Sequence, residues 1–144
     1  MPLELDRIRR LVQARLAEMK RDAAARRDRV AAAERAYDTF LSGVAIPTMT
    51  VVAQSLSAEN HPFRVMTPGK TARLVSERSN RTYVEVRLET AGPAPQVVAE
   101  VGRERGSRVL ADDRPIGEGL AVESITDEHV LTVLLEALAD LIER

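Results

Sequence analysis

Residues 3–42, LELDRIRRLVQARLAEMKRDAAARRDRVAAAERAYDTFLS, decide the fold of this 144-residue chain. The stretch contains neither Gly nor Pro, and it is dominated by Ala, Arg, Leu and Glu, which are the strongest helix formers. Acidic residues precede basic ones by three or four positions, as in Glu4 with Arg7 and Glu18 with Arg21, an order that suits the helix dipole. The stretch therefore predicts one long helix.

One side of this helix is apolar. Its apolar residues recur with a mean spacing near 3.6, which is helical, and the series is interrupted only at Arg26. They are Leu5, Ile8, Val12, Leu16, Met19, Ala23, Val30, Ala33, Tyr37 and Leu41. A helix of about forty residues is roughly 60 Å long, whereas the remaining hundred or so residues form a body with a radius of gyration of only ~13 Å. The helix is therefore predicted to extend beyond its own domain.

An apolar stripe that extends beyond its domain has two interpretations. In the first, a second copy covers it, which places Leu5, Ile8, Val12, Leu16 and Met19 at the interface of a homo-oligomer, with a dimer favoured. In the second, the helix breaks within residues 20–29 and folds back on itself. The absence of a breaker residue favours the first interpretation.

The residues after the helix predict a change of structure. Gly43 is predicted to cap the helix in the left-handed conformation, and Pro47 to open a second, short helix that ends near Asn60, before Pro62. From Phe63 onward the apolar period becomes two, which is typical of strands. Strands are predicted at residues 63–67, 70–77, 83–89, 96–103 and 107–111, with turn residues between them, as a four- or five-stranded antiparallel meander.

A last helix is predicted after Thr126, whose hydroxyl can cap the helix and whose next two residues are acidic. Its leucines and isoleucine are expected to lie on the sheet, namely Leu131, Leu134, Leu135, Leu138 and Ile142. The fold class is therefore α+β, with a long N-terminal helix, a short second helix, an antiparallel meander and a C-terminal helix packed on the sheet. We expect residues 1–42 to be a helical extension for oligomerisation and residues 43–144 to be the α+β domain.

Composition and charge limit the function. The chain has no cysteine, which excludes disulfides, thiolate nucleophiles and cysteine-held metals, and only 3% aromatic residues on which a base could stack. The start, MPLELDRIRR, is charged where a signal peptide is apolar, and the run VLTVLLEALADLI carries Glu136 and Asp140, so we expect a soluble, cytoplasmic protein with no membrane partner. Residues 1–36 hold ten basic against six acidic side chains (+4) and the rest hold eleven against sixteen (−5), so the two parts attract each other within a chain or between copies.

The segment MTPGKT, residues 66–71, resembles the end of a phosphate-binding loop. Such a loop needs Gly four residues before its Gly-Lys-Thr, where this chain has Arg64, and it needs a helix afterwards, where residues 72–75 have strand character. A type II turn over residues 67–70 is the better interpretation.

The polar candidates for chemistry are sparse. His61 and His129 have no partner at motif spacing and are interpreted as surface residues rather than as catalytic groups or metal ligands. Asp112 and Asp113, with Glu118 nearby, are a candidate pair for a divalent ion, but a turn before Arg114-Pro115 is favoured because adjacent strand residues point in opposite directions.

Arginines mark one further candidate surface. Arg103, Arg105 and Arg108 flank Gly106 at a predicted hairpin tip, where guanidinium groups can bind phosphate or carboxylate. Together with arginines of the long helix they would form a nucleic-acid footprint, the helix contributing Arg26, Arg27 and Arg29. The slightly acidic chain and the lack of aromatic residues in this patch weigh against that reading.

No motif in the sequence identifies a family. The sequence favours a non-catalytic, homo-oligomeric protein-interaction or chaperone-like adaptor protein that needs no cofactor. The alternative is a nucleic-acid-binding protein that uses the arginine-rich helix and the tip at residues 103–108. A small metal-dependent enzyme around Asp112 and Asp113 is the least favoured hypothesis.

Overall fold

A single helical rod begins the chain. The computed structural model describes residues 2–142, and side chains from residue 4 onward. Helix α1 spans Pro2–Phe40, a π-helical turn spans Leu41–Ala45, and helix α2 spans Ile46–Ala58, with no break between them. The predicted long helix is confirmed, and it is continuous through residues 20–29, where a fold-back would have broken it.

The predicted corner at Gly43 is wrong, because the helix passes through this point. Gly43 is not in the left-handed conformation, and the N–H of Ile46 donates to the carbonyl of Leu41, five residues back. Pro47 follows the π turn in the first turn of α2. Proline has no N–H to donate and its ring presses on the carbonyl four residues earlier in an α-helix. The wider π turn accommodates that proline without ending the helix.

The π turn also keeps one side of the rod on the sheet. Phe40 is buried before the turn, and Ala45, Met49 and Leu56 are buried after it. Phe40 and Ala45 are five residues apart, whereas neighbours on one face of an α-helix are three or four apart. The extra residue of the π turn therefore restores the phase, and Leu41, which the 3.6 spacing places on the stripe, is only partly buried.

Five antiparallel strands follow and pair in chain order. They are β1 Phe63–Met66, β2 Ala72–Ser76, β3 Tyr83–Glu89, β4 Gln96–Arg105 and β5 Arg108–Pro115. The meander is confirmed, although β5 is longer than predicted. On its inner face β3 sets Val84 opposite Val101 and Val86 opposite Ala99, and all four side chains are buried in the core, where the C-terminal helix contacts both strands.

Helix α3, Asp127–Leu141, packs on the inner face of the sheet as predicted, and Leu134 of the predicted residues is buried there. Its buried residues are Val130, Val133, Leu134, Ala137 and Leu141. Leu135, predicted on the sheet, is 54% exposed, and Leu131, Leu138 and Ile142 are only partly buried. The helix carries two apolar stripes, and the sheet takes the one rich in small and β-branched side chains.

Candidate functional site

The first part of α1 stands clear of the body. Every residue from 4 to 23 is exposed, a length of about 30 Å at ~1.5 Å per residue. We call this segment, residues 4–23, the arm. The five residues predicted for an oligomer interface all lie on it, between 50% and 58% exposed: Leu5, Ile8, Val12, Leu16 and Met19. Leu11, 58% exposed beside Val12, widens the stripe and was not among the predicted residues.

The arm ends where Arg26 ties α1 to the sheet. Its guanidinium Nη2 donates to the carbonyls of Thr90 (2.9 Å) and Gly92 (3.1 Å) in the loop between β3 and β4. Beyond it, the hydroxyl of Tyr37 donates to the carbonyl of Val86 inside the core (3.1 Å), and burial raises the pKa of this phenol above its usual range. Arg26 interrupts the apolar stripe because it is the residue that anchors the rod.

The six arginines proposed for a nucleic-acid footprint do not come together. Arg26 lies at the loop before β4, whereas Arg105 and Arg108 flank the turn after it. The ten residues of β4 separate these two ends by about 30 Å at ~3.3 Å per residue. Arg27 and Arg29 are exposed on α1 beside Arg26, so the arginines form two separate groups.

Arg103 is engaged inside the protein. Asp140 of α3 accepts hydrogen bonds from both Arg103 and Arg114, and the Nε of Arg114 also pairs with Asp112 at 2.8 Å. The hydrogen bond from Arg114 holds the pKa of the Asp140 carboxyl below its usual range, and Asp112 and Asp140 together raise the pKa of Arg114. This cluster fastens the end of α3 to the β4–β5 hairpin. Nothing in the sequence spacing indicated it, because Asp140 lies 37 residues after Arg103 and 26 residues after Arg114.

A cavity of about 420 Å³ opens beside this cluster, between the β2–β3 turn, the β4–β5 tip and the end of α3. His61 lines it, together with charged residues of both signs. Arg78 donates to the carbonyl of Asn60 (2.8 Å), and Ser79 donates to Glu104 (2.7 Å). Because its charged groups are largely paired with one another, the cavity offers no concentrated charge to a ligand.

The outer face of the sheet is a ladder of paired charges. Arg73 lies 3.3 Å from Glu85, and Arg87 lies 3.2 Å from Glu100 and 2.7 Å from Asp113. Tyr83 donates to Glu100, and burial together with that hydrogen bond raises the pKa of its phenol to about 12. The ladder explains why this face needs no covering element.

The aspartate pair belongs to these networks. Asp112 and Asp113 lie within β5 rather than in the predicted turn, and they pair with Arg114 and Arg87 on opposite faces of the strand. The turn prediction was wrong because both residues pair with β4 through the backbone, while Arg114 of the same strand and Arg87 of β3 neutralise their carboxylates. Within residues 2–142 no group of three or more His, Cys, Asp or Glu side chains is placed to hold a metal ion.

The Gly-Lys-Thr segment is a hairpin turn. Gly69 has a φ of +60°, and the N–H of Thr71 donates to the carbonyl of Pro68, so the turn covers residues 68–71 rather than 67–70. The Nζ of Lys70 lies 3.8 Å from the carboxylate of Asp38. The hydroxyl of Thr71 lies within hydrogen-bond distance of the carbonyl of Pro68 and the carboxylate of Glu85. Strand β2 follows, as predicted, in place of the helix that a phosphate site requires.

His129 has a structural role in the first turn of α3. Its Nδ1 accepts the backbone N–H of Thr126 at 2.9 Å, the place that Glu usually takes in a capping box.

A second apolar surface lies between α2 and α3. A groove of about 200 Å³ is lined by Thr48, Val51, Val52, Asp127, Glu128 and Leu131. Val51 is 61% exposed and Leu135 beside the groove is 54% exposed. The sequence contained a signal for this surface, because residues 39–58 include no Asp, Glu, Lys or Arg.

The helix over Glu4–Ala58, which includes this uncharged stretch, is long and apolar enough to cross a membrane by length and composition alone. A third of its apolar 18-residue segment is buried inside the protein. Met49, Val52 and Leu56 of that stretch are buried in the core. The structure is compatible with a soluble protein.

No protein-family model, curated protein or solved structure matches this chain.

Proposed function

We propose that the protein is a non-catalytic, homo-oligomeric interaction protein, of the adaptor or chaperone-like kind, that assembles through its N-terminal arm. The observation that carries the proposal is the exposed stripe. Five apolar side chains at helical spacing, with Leu11 beside them, are each at least half exposed along one straight helix. Monomeric soluble proteins rarely leave such a contiguous apolar surface in water.

The energetics favour a covered arm. Burying a half-exposed Leu, Ile, Val or Met side chain stabilises a complex by about 1 kcal/mol. Six such residues from each of two arms would contribute on the order of 12 kcal/mol, against an association cost of about 4–15 kcal/mol. Contact between the two arms alone therefore leaves little surplus, and a stable dimer needs the arm to meet further apolar surface.

The proposal is tested by measuring molar mass by light scattering on the full chain and two matched variants. Val12→Glu with Leu16→Glu places two charges on the stripe, whereas Ala14→Glu with Ala25→Glu places them on the opposite side of the same helix. We expect a dimer for the wild type and the second variant and a monomer for the first. A monomeric wild type at micromolar concentration would refute the assembly role.

Nucleic-acid binding is the second candidate. The observation in its favour is that, within the described residues, Arg27, Arg29, Arg105 and Arg108 are exposed and form no ion pair. Fluorescence anisotropy with labelled single- and double-stranded DNA and RNA at low salt tests it. Binding that weakens steeply with salt and is lost in Arg105→Ala with Arg108→Ala would support this candidate. If neither the wild type nor the double variant bound any of these nucleic acids, this candidate would be excluded.

A further inference from the structure

The groove between α2 and α3 has the features of a site for an apolar, basic helix. Its floor is apolar, with Val51 61% exposed and Leu131 partly buried, and Leu135 extends the apolar surface along α3. Two acidic side chains line it, namely Asp127 and Glu128. Residues 39–58 and 127–142, which supply both walls, contain no Lys or Arg at all.

The arm has the complementary charge. Residues 4–23 contain six Lys and Arg against four Asp and Glu, a net charge of +2. The two acidic residues that line the groove, Asp127 and Glu128, carry −2, and the carboxylate of Asp140 is already paired with Arg103 and Arg114. If two arms packed together, the net charge of +2 on one arm would lie against the net charge of +2 on the other. Charge therefore favours contact between arm and groove over contact between two arms.

The arm cannot reach the groove of its own chain. The arm and α2 are two parts of one continuous rod, and about 38 residues separate their midpoints, or roughly 58 Å at ~1.5 Å per residue. No break in the rod allows it to fold back. Any arm in the groove must therefore come from another molecule.

We propose that the arm of one copy lies in the α2–α3 groove of a second copy, and that the exchange is reciprocal. The two rods then run antiparallel about a twofold axis, so that the interface closes at a dimer. The stripe from Leu5 to Met19 is about 21 Å long, and the part of α3 from Asp127 to Leu135 spans about 12 Å, so the groove receives the middle of the stripe. The groove also supplies the additional apolar surface that contact between arms alone lacks.

The proposal rests on the arm-mediated assembly described above, and site-directed cross-linking separates the two. The chain has no native cysteine, so single cysteines can be introduced cleanly. Val12→Cys marks the middle of the arm, and Leu135→Cys marks the groove. Each variant alone, and a mixture of the two after subunit exchange, is treated with a short bismaleimide, and covalent dimers are measured on a denaturing gel.

We expect covalent dimers in the mixture and none in either variant alone. Cross-linking of the Val12→Cys chain alone would show that arms pair with arms, which overturns this proposal and leaves the assembly role intact. Cross-linking of the Leu135→Cys chain alone, or a dimer by light scattering with no cross-link in any sample, would also overturn it. A monomer in every sample would overturn both proposals.

A charge variant provides a second measurement. Glu128→Lys places a positive charge in the lining of the groove, and Glu118→Lys makes the same change at another exposed position. We expect Glu128→Lys to weaken the dimer about tenfold, the effect of ~1.4 kcal/mol, and Glu118→Lys to leave it unchanged. Equal dissociation constants for the two variants would contradict the role of charge in the groove.

Discussion

Gly102 shows how a single residue depends on its neighbours across the sheet. It lies opposite Tyr83, and a Cβ atom at this position would fall inside van der Waals contact with the Tyr83 ring. That ring also lies under the guanidinium of Arg73, 4.2 Å from its centre, so it cannot move aside freely. We expect Gly102→Ala to lower the free energy of unfolding by about 1–3 kcal/mol.

Gly43 is the matched control for this substitution. It lies in a helical backbone with no atom within 4 Å of an added Cβ. Gly43→Ala should stabilise the protein by about 0.5–1 kcal/mol, because alanine loses less conformational freedom in a helix. Urea unfolding of both variants measures the contrast, and a Gly102→Ala protein as stable as Gly43→Ala would show that the Tyr83 ring does not constrain this site.

Asp140 connects stability to pH. Its pKa is lowered by the hydrogen bond from Arg114, so it binds its proton more readily in the unfolded chain than in the folded one. The stability it contributes is therefore present above the unfolded pKa of about 3.9 and is lost as the pH falls through the lower folded value. We expect Asp140→Asn to cost about 1–2 kcal/mol at pH 7.

The difference between the wild type and Asp140→Asn should shrink below about pH 4 and vanish at more acidic values. Urea unfolding of the two proteins from pH 2.5 to 7 measures it. A gap that stays constant across this range would mean that the carboxylate charge does not contribute.

At the scale of elements, the π turn sets the phase of the rod. Inserting one Ala after Gly43 raises the spacing from Phe40 to Ala45 from five residues to six and rotates α2 by about 100°. Met49 and Leu56 would then leave the sheet, and we expect the chain to lose its cooperative unfolding transition. Deleting Gly43 reduces the spacing to four, which a regular α-helix satisfies.

The deletion should therefore fold, with a penalty of about 3 kcal/mol because Pro47 then lies in an α-helix interior. Circular dichroism and urea unfolding compare the two variants. If the insertion proved as stable as the deletion, phase at the π turn would not control the packing of α2.

At the scale of the whole molecule, the arm and the body should be thermodynamically separable. Residues 4–23 make no buried contact in one copy, whereas Arg26 and Tyr37 bind the sheet. We expect removal of residues 1–23 to give a monomer with a single cooperative transition that does not depend on protein concentration. Removal of residues 1–30 also takes away Arg26, and it should lower the unfolding midpoint further.

These truncations are compared by light scattering and thermal unfolding at two protein concentrations. In the wild-type dimer the midpoint should rise with concentration, because association stabilises the folded state by mass action. If the chain without residues 1–23 failed to fold, the arm would contribute to the core and the body would not be independent of it.

The sequence by itself determined the elements and their order. The absence of Gly and Pro over residues 3–42 and the period of two from Phe63 are local signals, and local signals specify helices and strands. They also identified the five arm residues that the body leaves exposed. The stripe could be identified from the sequence because no other described part of the chain packs on these residues.

The tertiary structure alone decided which of several local possibilities is used. The sheet selected one of two apolar stripes on α3, and the need to keep Phe40 and Ala45 on one face selected a π turn over a break at Gly43. Backbone pairing with Val101 of β4 placed Asp112 in β5. Each choice depends on contacts between residues far apart in the chain. The groove between α2 and α3 has the same origin, since its two walls are about eighty residues apart in the sequence and meet only when the sheet brings them together.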